Sequence, residues 1–174
     1  LDTCAEDIIS GQSNSSLRKL TKVDGVDILI QSRIEGVALC VAWPYLSYAQ
    51  KSSFKQQTQK IATALLTLKG APQYVVPDPN PIANRGICQD EYDILFTGGD
   101  SELGFSHNDL QPSNIIVNAN QIVGIVDWEM SGFFGERAAT VHRMMRCPGK
   151  EAFADTSLSK EEVEDLTFWS NLLD

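Results

Sequence analysis

Four side chains within the stretch Phe105–Glu129, FSHNDLQPSNIIVNANQIVGIVDWE, are of types that do chemistry: His107, Asp109, Asn114 and Asp127. The first three share a polar loop behind the apolar lead-in Phe105-Ser106. A β-branched run, Ile115-Ile116-Val117, follows, breaks at Asn118-Ala119-Asn120, resumes as Ile122-Val123-Gly124-Ile125-Val126 and stops at Asp127. Two such runs around a short Asn-containing break predict a β-hairpin. A hairpin returns to where it began, so Asn114 and Asp127 are expected side by side at its open end. With Asp109 just upstream, the set is a compact all-oxygen cluster suited to Mg²⁺. Singly, Asp109 reads as a solvated loop acid or a cap, and Asn114 as a turn residue. Their combination and order carry the chemical reading.

The same residues carry a resemblance. His107-Asn108-Asp109-Leu110-x-x-x-Asn114 has the spacing of the kinase catalytic loop, and Asp127-Trp128-Glu129 stands where protein kinases have D-F-G. Asn108 in place of Arg, Trp128 in place of Phe, and Pro112 within the loop make the stretch resemble the aminoglycoside phosphotransferase and choline kinase superfamily. That superfamily is the small-molecule branch of the kinase-like fold. Arg33-Ile34-Glu35-Gly36-Val37-x-Leu39-x-x-Ala42-Trp43 adds to this, since it resembles the hinge segment of fungal proteins with that domain. The resemblance spans Ile28 to Arg146, with two separate motifs in the right order.

The resemblance implies an α+β, protein-kinase-like fold: mostly the helical C-lobe with a catalytic-loop β-hairpin, plus a remnant of the N-lobe sheet. Residues 1–33 would supply the remnant strands and hinge, and residues 34–174 the C-lobe. Asp109 would accept or orient the proton of an attacking hydroxyl, Asn114 and Asp127 would coordinate Mg²⁺, and His107 would brace the loop. ATP would be held at Gln31–Ile34, with Ser32 and Ile34 as the cofactor-binding residues, although the family often has Glu at the position of Ser32. The family's glycine-rich loop, strand lysine and helix glutamate are not visible, since Gly11 and Gly25 are isolated and Lys19 and Lys22 fall too close to the hinge. The chain therefore reads as a truncated domain. Two functions follow: an ATP- and Mg²⁺-dependent phosphotransferase to a hydroxyl of a small molecule, or a catalytically inactive remnant or binding module of that fold. A metal-dependent phosphohydrolase is weaker, for it lacks the several His and Asp ligands of a two-metal site.

Composition narrows the partners. A net charge of −9, from 14 basic and 23 acidic residues, argues against nucleic acid and is compatible with a cationic small substrate. The 174 residues suffice for one buried core, and 43% hydrophobic content is that of a globular protein. Cys4, Cys40, Cys88 and Cys147 form no C-x-x-C pair, which argues against zinc. The longest uncharged run, Gly36–Gln50, contains Pro44 and is too short to span a membrane. With no signal-peptide pattern, a reducing, cytoplasmic setting is expected.

Elements that must position the loop are partly legible. Leu1–Thr21 gives no clear pattern beyond a short apolar piece and a loop. Thr21–Val23 and Val26–Ile30 around Asp24-Gly25 predict a hairpin. Ser47 and Gln50 form a capping box for a helix whose stripe is Phe54, Thr58, Ile61, Leu65 and Leu68, ended by Gly70 and Pro72. Pro77, Pro79 and Pro81 exclude regular helix from Gln73–Asn84. A loop is expected to about Glu91, then a short helix or strand over Tyr92–Phe96 and a turn at Thr97–Asp100. Met130–Gly135 reads as loop and Ala138–Met145 as helix, stopped by Cys147-Pro148-Gly149. Ser159 and Glu162 open a last helix with Val163, Leu166, Trp169 and Leu173 on one face. Glu129 and Glu136 read as solvated, His142 as a surface or packing residue, and Arg137, Arg143 and Arg146 as a basic patch in salt bridges.

Overall fold

The computed structural model describes residues 19–30, 32–97, 99, 101–138, 140–141, 153, 156–169 and 172. The expectations for residues 1–18, Gln31, His142, Arg143, Arg146, Cys147-Pro148-Gly149 and Leu173 lie outside them.

β1 (Lys19–Val23) pairs antiparallel with β2 (Val26–Ile30) as a two-stranded sheet, as the dipeptide between them predicts. Asp24 and Gly25 have φ of 51° and 81°, the two left-handed residues of a type I′ turn. After Ser32–Ile34, β3 (Val37–Ala38) leads into the single turn α1 (Leu39–Ala42) and a 3₁₀ turn, Trp43–Tyr45. α2 (Tyr48–Leu66) opens on the expected capping box: the Ser47 hydroxyl accepts from the Gln50 N–H, and the Gln50 side chain accepts from the Ser47 N–H at 3.0 Å. Its buried face is Phe54, Thr58, Ala62 and Leu65. The Thr58 hydroxyl is satisfied by the Phe54 carbonyl at 2.9 Å, which is why a polar residue can sit on that stripe. The helix ends at Leu66, before the expected stop at Gly70 and Pro72. Thr67 Oγ1 donates to the Ala64 carbonyl (2.7 Å) and Lys69 Nζ to that of Leu66 (2.9 Å), so side chains take up the last carbonyls. Leu68 lies beyond the helix, and Lys69–Gly70 forms a short strand, β4.

Three further expectations are corrected. Pro81 does not exclude helix: it stands at the first position of α3 (Pro81–Arg85), where a missing N–H costs nothing, behind an Asn80 cap. The expected loop to Glu91 is shorter, because α4 (Gln89–Phe96) starts behind Cys88, whose Sγ accepts from the Glu91 N–H. After β5 (Leu103–Ser106) come β6 (Ile115–Asn118) and β7 (Gln121–Ile125), the predicted hairpin, turned by Ala119 and Asn120 at φ 46° and 64°. Met130–Gly135 is not all loop, since Trp128–Met130 is a 3₁₀ turn and Gly132–Phe133 forms β8. Residues 136–138 and 140–141 are helical.

Two antiparallel three-stranded sheets result, β3-β6-β7 and β4-β5-β8. Gly132 lets the Gln73 backbone and the Phe134 ring close on β8, for a Cβ there would overlap the Gln73 carbonyl oxygen and lie 2.5 Å from the ring. The hairpin rests on α2. Gln57 donates to the Asn120 carbonyl (3.0 Å) and accepts from the Ile122 N–H (2.9 Å), while Gln50 donates to Asn120 Oδ1 (2.8 Å). The main core joins Leu39, Phe54 and Leu110 to Ile115, Val117, Ile122 and Ile125 of the hairpin. A second cluster gathers Tyr74, Leu95 and Phe134.

α5 (Lys160–Phe168) begins on the expected Ser159–Glu162 capping box. It docks on α2 through Asp165, which pairs with Lys51 (2.8 Å) and Lys55 (2.6 Å), and Trp169 at its end stands edge-on to Trp43 of the 3₁₀ turn before α2. Burial alone would raise the Asp165 carboxyl, but the two lysines outweigh it and hold it below the ordinary carboxylate range. The buried face differs from the expected one: Leu166 is 51% exposed while Thr167 is buried, its hydroxyl donating to the Val163 carbonyl at 2.8 Å. Among the described residues, no helix is long and apolar enough to cross a membrane.

Candidate active site

β5 delivers the chain into the polar loop, and the sequence bends it sharply at once. Asn108 has φ 59°, a left-handed conformation that asparagine tolerates better than most residues. The bend places His107 and Asp109 on the two sides of it. His107 is 2% exposed. Its Nε2 lies 2.9 Å from the Val126 carbonyl, and its Nδ1 accepts from the Asp109 N–H at 3.3 Å. A ring that accepts at Nδ1 and donates at Nε2 is neutral. Burial presses the His107 pKa below its ordinary value, against the opposing pull of the Val126 carbonyl, Asp109 and Asp127. Its ring packs against Trp128 with centroids 4.5 Å apart. In this arrangement the histidine ties the loop to the end of β7.

That depression sets a sign for pH. Unfolded, the histidine titrates at its ordinary 6.5; folded, it takes a proton only at lower pH. Between those values the unfolded chain binds more protons, so this contribution is fully present above pH 6.5 and is lost as pH falls through the window. Urea unfolding of the wild type is expected to show a falling midpoint from pH 7.5 to 5.5. The slope should flatten in His107→Gln, and an equal slope in the two proteins would refute the assignment.

Asp109 is held from both sides. Its Oδ1 accepts from Gln111 Nε2 (3.1 Å), and its Oδ2 from Asn114 Nδ2 (3.0 Å), which also donates to the Asp109 carbonyl (2.9 Å). Asn114 is itself fixed by backbone bonds, its N–H to the Gln111 carbonyl and its carbonyl from the Val126 N–H, both 2.9 Å. With Nδ2 committed to Asp109, Asn114 Oδ1 is left to the Ser113 hydroxyl (3.3 Å) and to whatever occupies the mouth of the hairpin. Gln111, which the sequence did not single out, is the further residue of this site; its signal is an amide two positions past a candidate base.

The expected pairing of Asn114 with Asp127 is shifted by one residue. Ile115 lies opposite Ile125 and Asn114 bonds to Val126, so Asp127 follows immediately beyond the hairpin's end. There the backbone turns left-handed (φ 65°, ψ 56°), and the exposed Asp127 side chain makes no capping bond to the 3₁₀ turn it starts. Among the described residues, no group of three or more His, Cys, Asp and Glu side chains could hold a metal ion. Carboxylates and an amide oxygen are hard ligands of the kind that Mg²⁺ takes and that suit zinc poorly.

Ser32 and Ile34, the expected cofactor contacts, are exposed on the stretch before β3. Ile34 seats on Gly124 of β7, where a Cβ would come within 2.6 Å of its Cδ1, so this stretch leans on the hairpin that carries the loop. Glu129 and Glu136 are exposed, as expected of solvated acids. Cys40 and Cys88 are exposed free cysteines, so Cys40 is not the buried residue its apolar run suggests.

No curated protein matches the sequence. Residues 87–133 match the model of the APH family, the phosphotransferase enzyme family. The matched segment contains His107, Asp109, Asn114 and Asp127 and excludes Ser32 and Ile34. The match covers 47 of the 174 residues, and it marks this segment, not the whole chain, as similar to that family.

Proposed function

We propose that the protein is an ATP- and Mg²⁺-dependent phosphotransferase that moves the γ-phosphate to a hydroxyl of a small molecule. The observation that carries the reading is the double grip of Asn114 Nδ2 on the backbone and carboxylate of Asp109, which fixes both groups in one rigid unit. Phosphoryl transfer demands positioning and charge stabilisation more than covalent chemistry, and rigid placement serves that demand. Asp109 would accept a hydrogen bond from the attacking hydroxyl and take its proton late. Gln111 and Asn114 keep that carboxylate aimed, and neutral His107 holds the loop without exchanging protons. Asn114 Oδ1 and the Asp127 carboxylate would hold Mg²⁺, which when bound neutralises charge on the phosphates. Ser32 and Ile34 would lie along the adenine, through backbone groups. An acidic protein of this net charge also suits a substrate bearing a cation.

Nucleotide binding is the direct test. A ligand present at 100 times its Kd stabilises the folded state by about 2.7 kcal/mol, which for a domain of this size raises Tm by roughly 5–10 °C. ATP with Mg²⁺ is expected to give such a rise, and ATP with EDTA a much smaller one. A melting curve indifferent to ATP at millimolar concentration, with or without the metal, would sink the proposal.

A further inference from the structure

Arg85 lies outside the matched segment and outside every motif of the sequence, yet its guanidinium joins three stretches of chain. Its Nε stands 3.1 Å from Asp78 Oδ2, its Nη2 donates to the Val76 carbonyl at 2.9 Å, and its Nη1 donates to the Glu129 carbonyl. The guanidinium also lies over the Tyr74 ring, 4.1 Å from its centroid, and the side chain is 11% exposed. Asp78 is fixed in turn by the Asn80 N–H (2.9 Å) and the Asn84 amide (2.8 Å). Burial alone would raise the Asp78 carboxyl, but these bonds and Arg85 hold it below the ordinary carboxylate range, so the ion pair stands at neutral pH.

Glu129 is the second residue past Asp127. Because the Asp127 side chain makes no capping bond, its place is set by the backbone on its two sides. On one side the Val126 N–H is bonded to Asn114. On the other, the Trp128 carbonyl takes the Ser131 N–H (3.0 Å) and hydroxyl (2.5 Å), and the Glu129 carbonyl takes Arg85. Asn114 and His107 hold Val126 from the loop before the hairpin, and Arg85 holds the Glu129 carbonyl from the proline-rich segment.

We propose that Arg85 is a positioning residue for Asp127: by gripping the Glu129 carbonyl from the proline-rich segment, it fixes the turn from which the metal carboxylate projects. The proposal rests on reading Asp127 as a metal ligand. Arg is suited to the task because one planar group serves a carboxylate, two carbonyls and a ring at once, which no lysine can do.

The test is Mn²⁺ binding, followed by paramagnetic broadening of backbone amides. Mn²⁺ is expected to broaden the amides around Asn114 and Asp127 in the wild type, and Asp127→Ala to abolish the effect. Arg85→Gln should weaken Mn²⁺ about 10-fold while still unfolding cooperatively, as loss of a residue behind a ligand commonly does. Gln57→Ala, which loosens the far end of the same hairpin, is the control for a merely structural loss and should leave Mn²⁺ affinity unchanged. If Arg85→Gln fails to fold, Asp78→Asn, which removes the charge that orients the guanidinium, should weaken Mn²⁺ about threefold. A folded variant of either kind that binds Mn²⁺ like the wild type, beside an Asp127→Ala protein that does not, overturns the role of Arg85 alone. A wild type without localised broadening, or an Asp127→Ala protein that keeps it, overturns the metal reading and this proposal with it.

Discussion

Asp109→Asn is expected to lower ATP-dependent phosphoryl transfer by about 10²–10⁴-fold, the range that a positioned acid–base group contributes. The substitution keeps size and shape but removes the acceptor of the hydroxyl proton. It also places an NH₂ where the carboxylate now receives hydrogen bonds, from Gln111 at Oδ1 and from Asn114 at Oδ2. Whichever way the new amide turns, one donor faces another, at a cost of about 1–3 kcal/mol for the group left unmade. A stability loss of that size must therefore accompany the kinetic loss, and the two are separable because only kcat should carry the larger factor. ADP release, measured with the acceptor alcohol or with water as acceptor, reads the first; urea unfolding reads the second. Turnover within a few-fold of wild type would remove Asp109 from the chemistry.

Phe54→Ala should give the largest purely structural effect. Phe54 is 2% exposed and packs in the cluster that joins α2 to Leu110 of the loop after β5 and to the hairpin strands. Truncating a buried phenylalanine costs about 3–5 kcal/mol through lost transfer energy and the cavity left behind. Against a total stability of about 5–15 kcal/mol that is a large share, and it corresponds to a fall in Tm of roughly 6–20 °C. Phe54→Leu, which refills most of the space, should recover more than half of it. A calorimetric scan in which Phe54→Ala melts within a few degrees of wild type would show that the core does not run through this helix.

Elements held by neighbouring residues were legible in the sequence, and those held by distant ones were not. Both hairpins announce themselves by a short break that accepts two left-handed residues, and both long helices by a capping box within four residues. The two-residue strands β3, β4 and β8 exist only because remote partners meet them: Val117 for Val37, Gly104 for Lys69, Phe105 for Phe133. Nothing local in Lys69-Gly70 or Gly132-Phe133 favours a strand. The last helix shows a second kind of miss, where Thr167 is buried in place of Leu166 because its hydroxyl has the Val163 carbonyl to bond. In the site, the order of Asp109, Asn114 and Asp127 is read from the sequence, whereas the bonds that His107 makes to Val126 and Asp109 depend on the fold. Arg85 was not legible, since two of its partners, 9 and 44 residues away, are main-chain carbonyls, which carry no mark in a sequence.

The left-handed backbone at Asp127 also limits what this chain can become. Few residue types occupy such a conformation without strain; glycine does so freely, and asparagine and aspartate at modest cost. A descendant that loses the Asp127 carboxylate while keeping its turn has two easy exits, asparagine and glycine, each one base change from an aspartate codon. Relatives without the carboxylate should therefore carry one of these two at this place, and a β-branched residue there would signal a lineage in which the turn itself has been rebuilt.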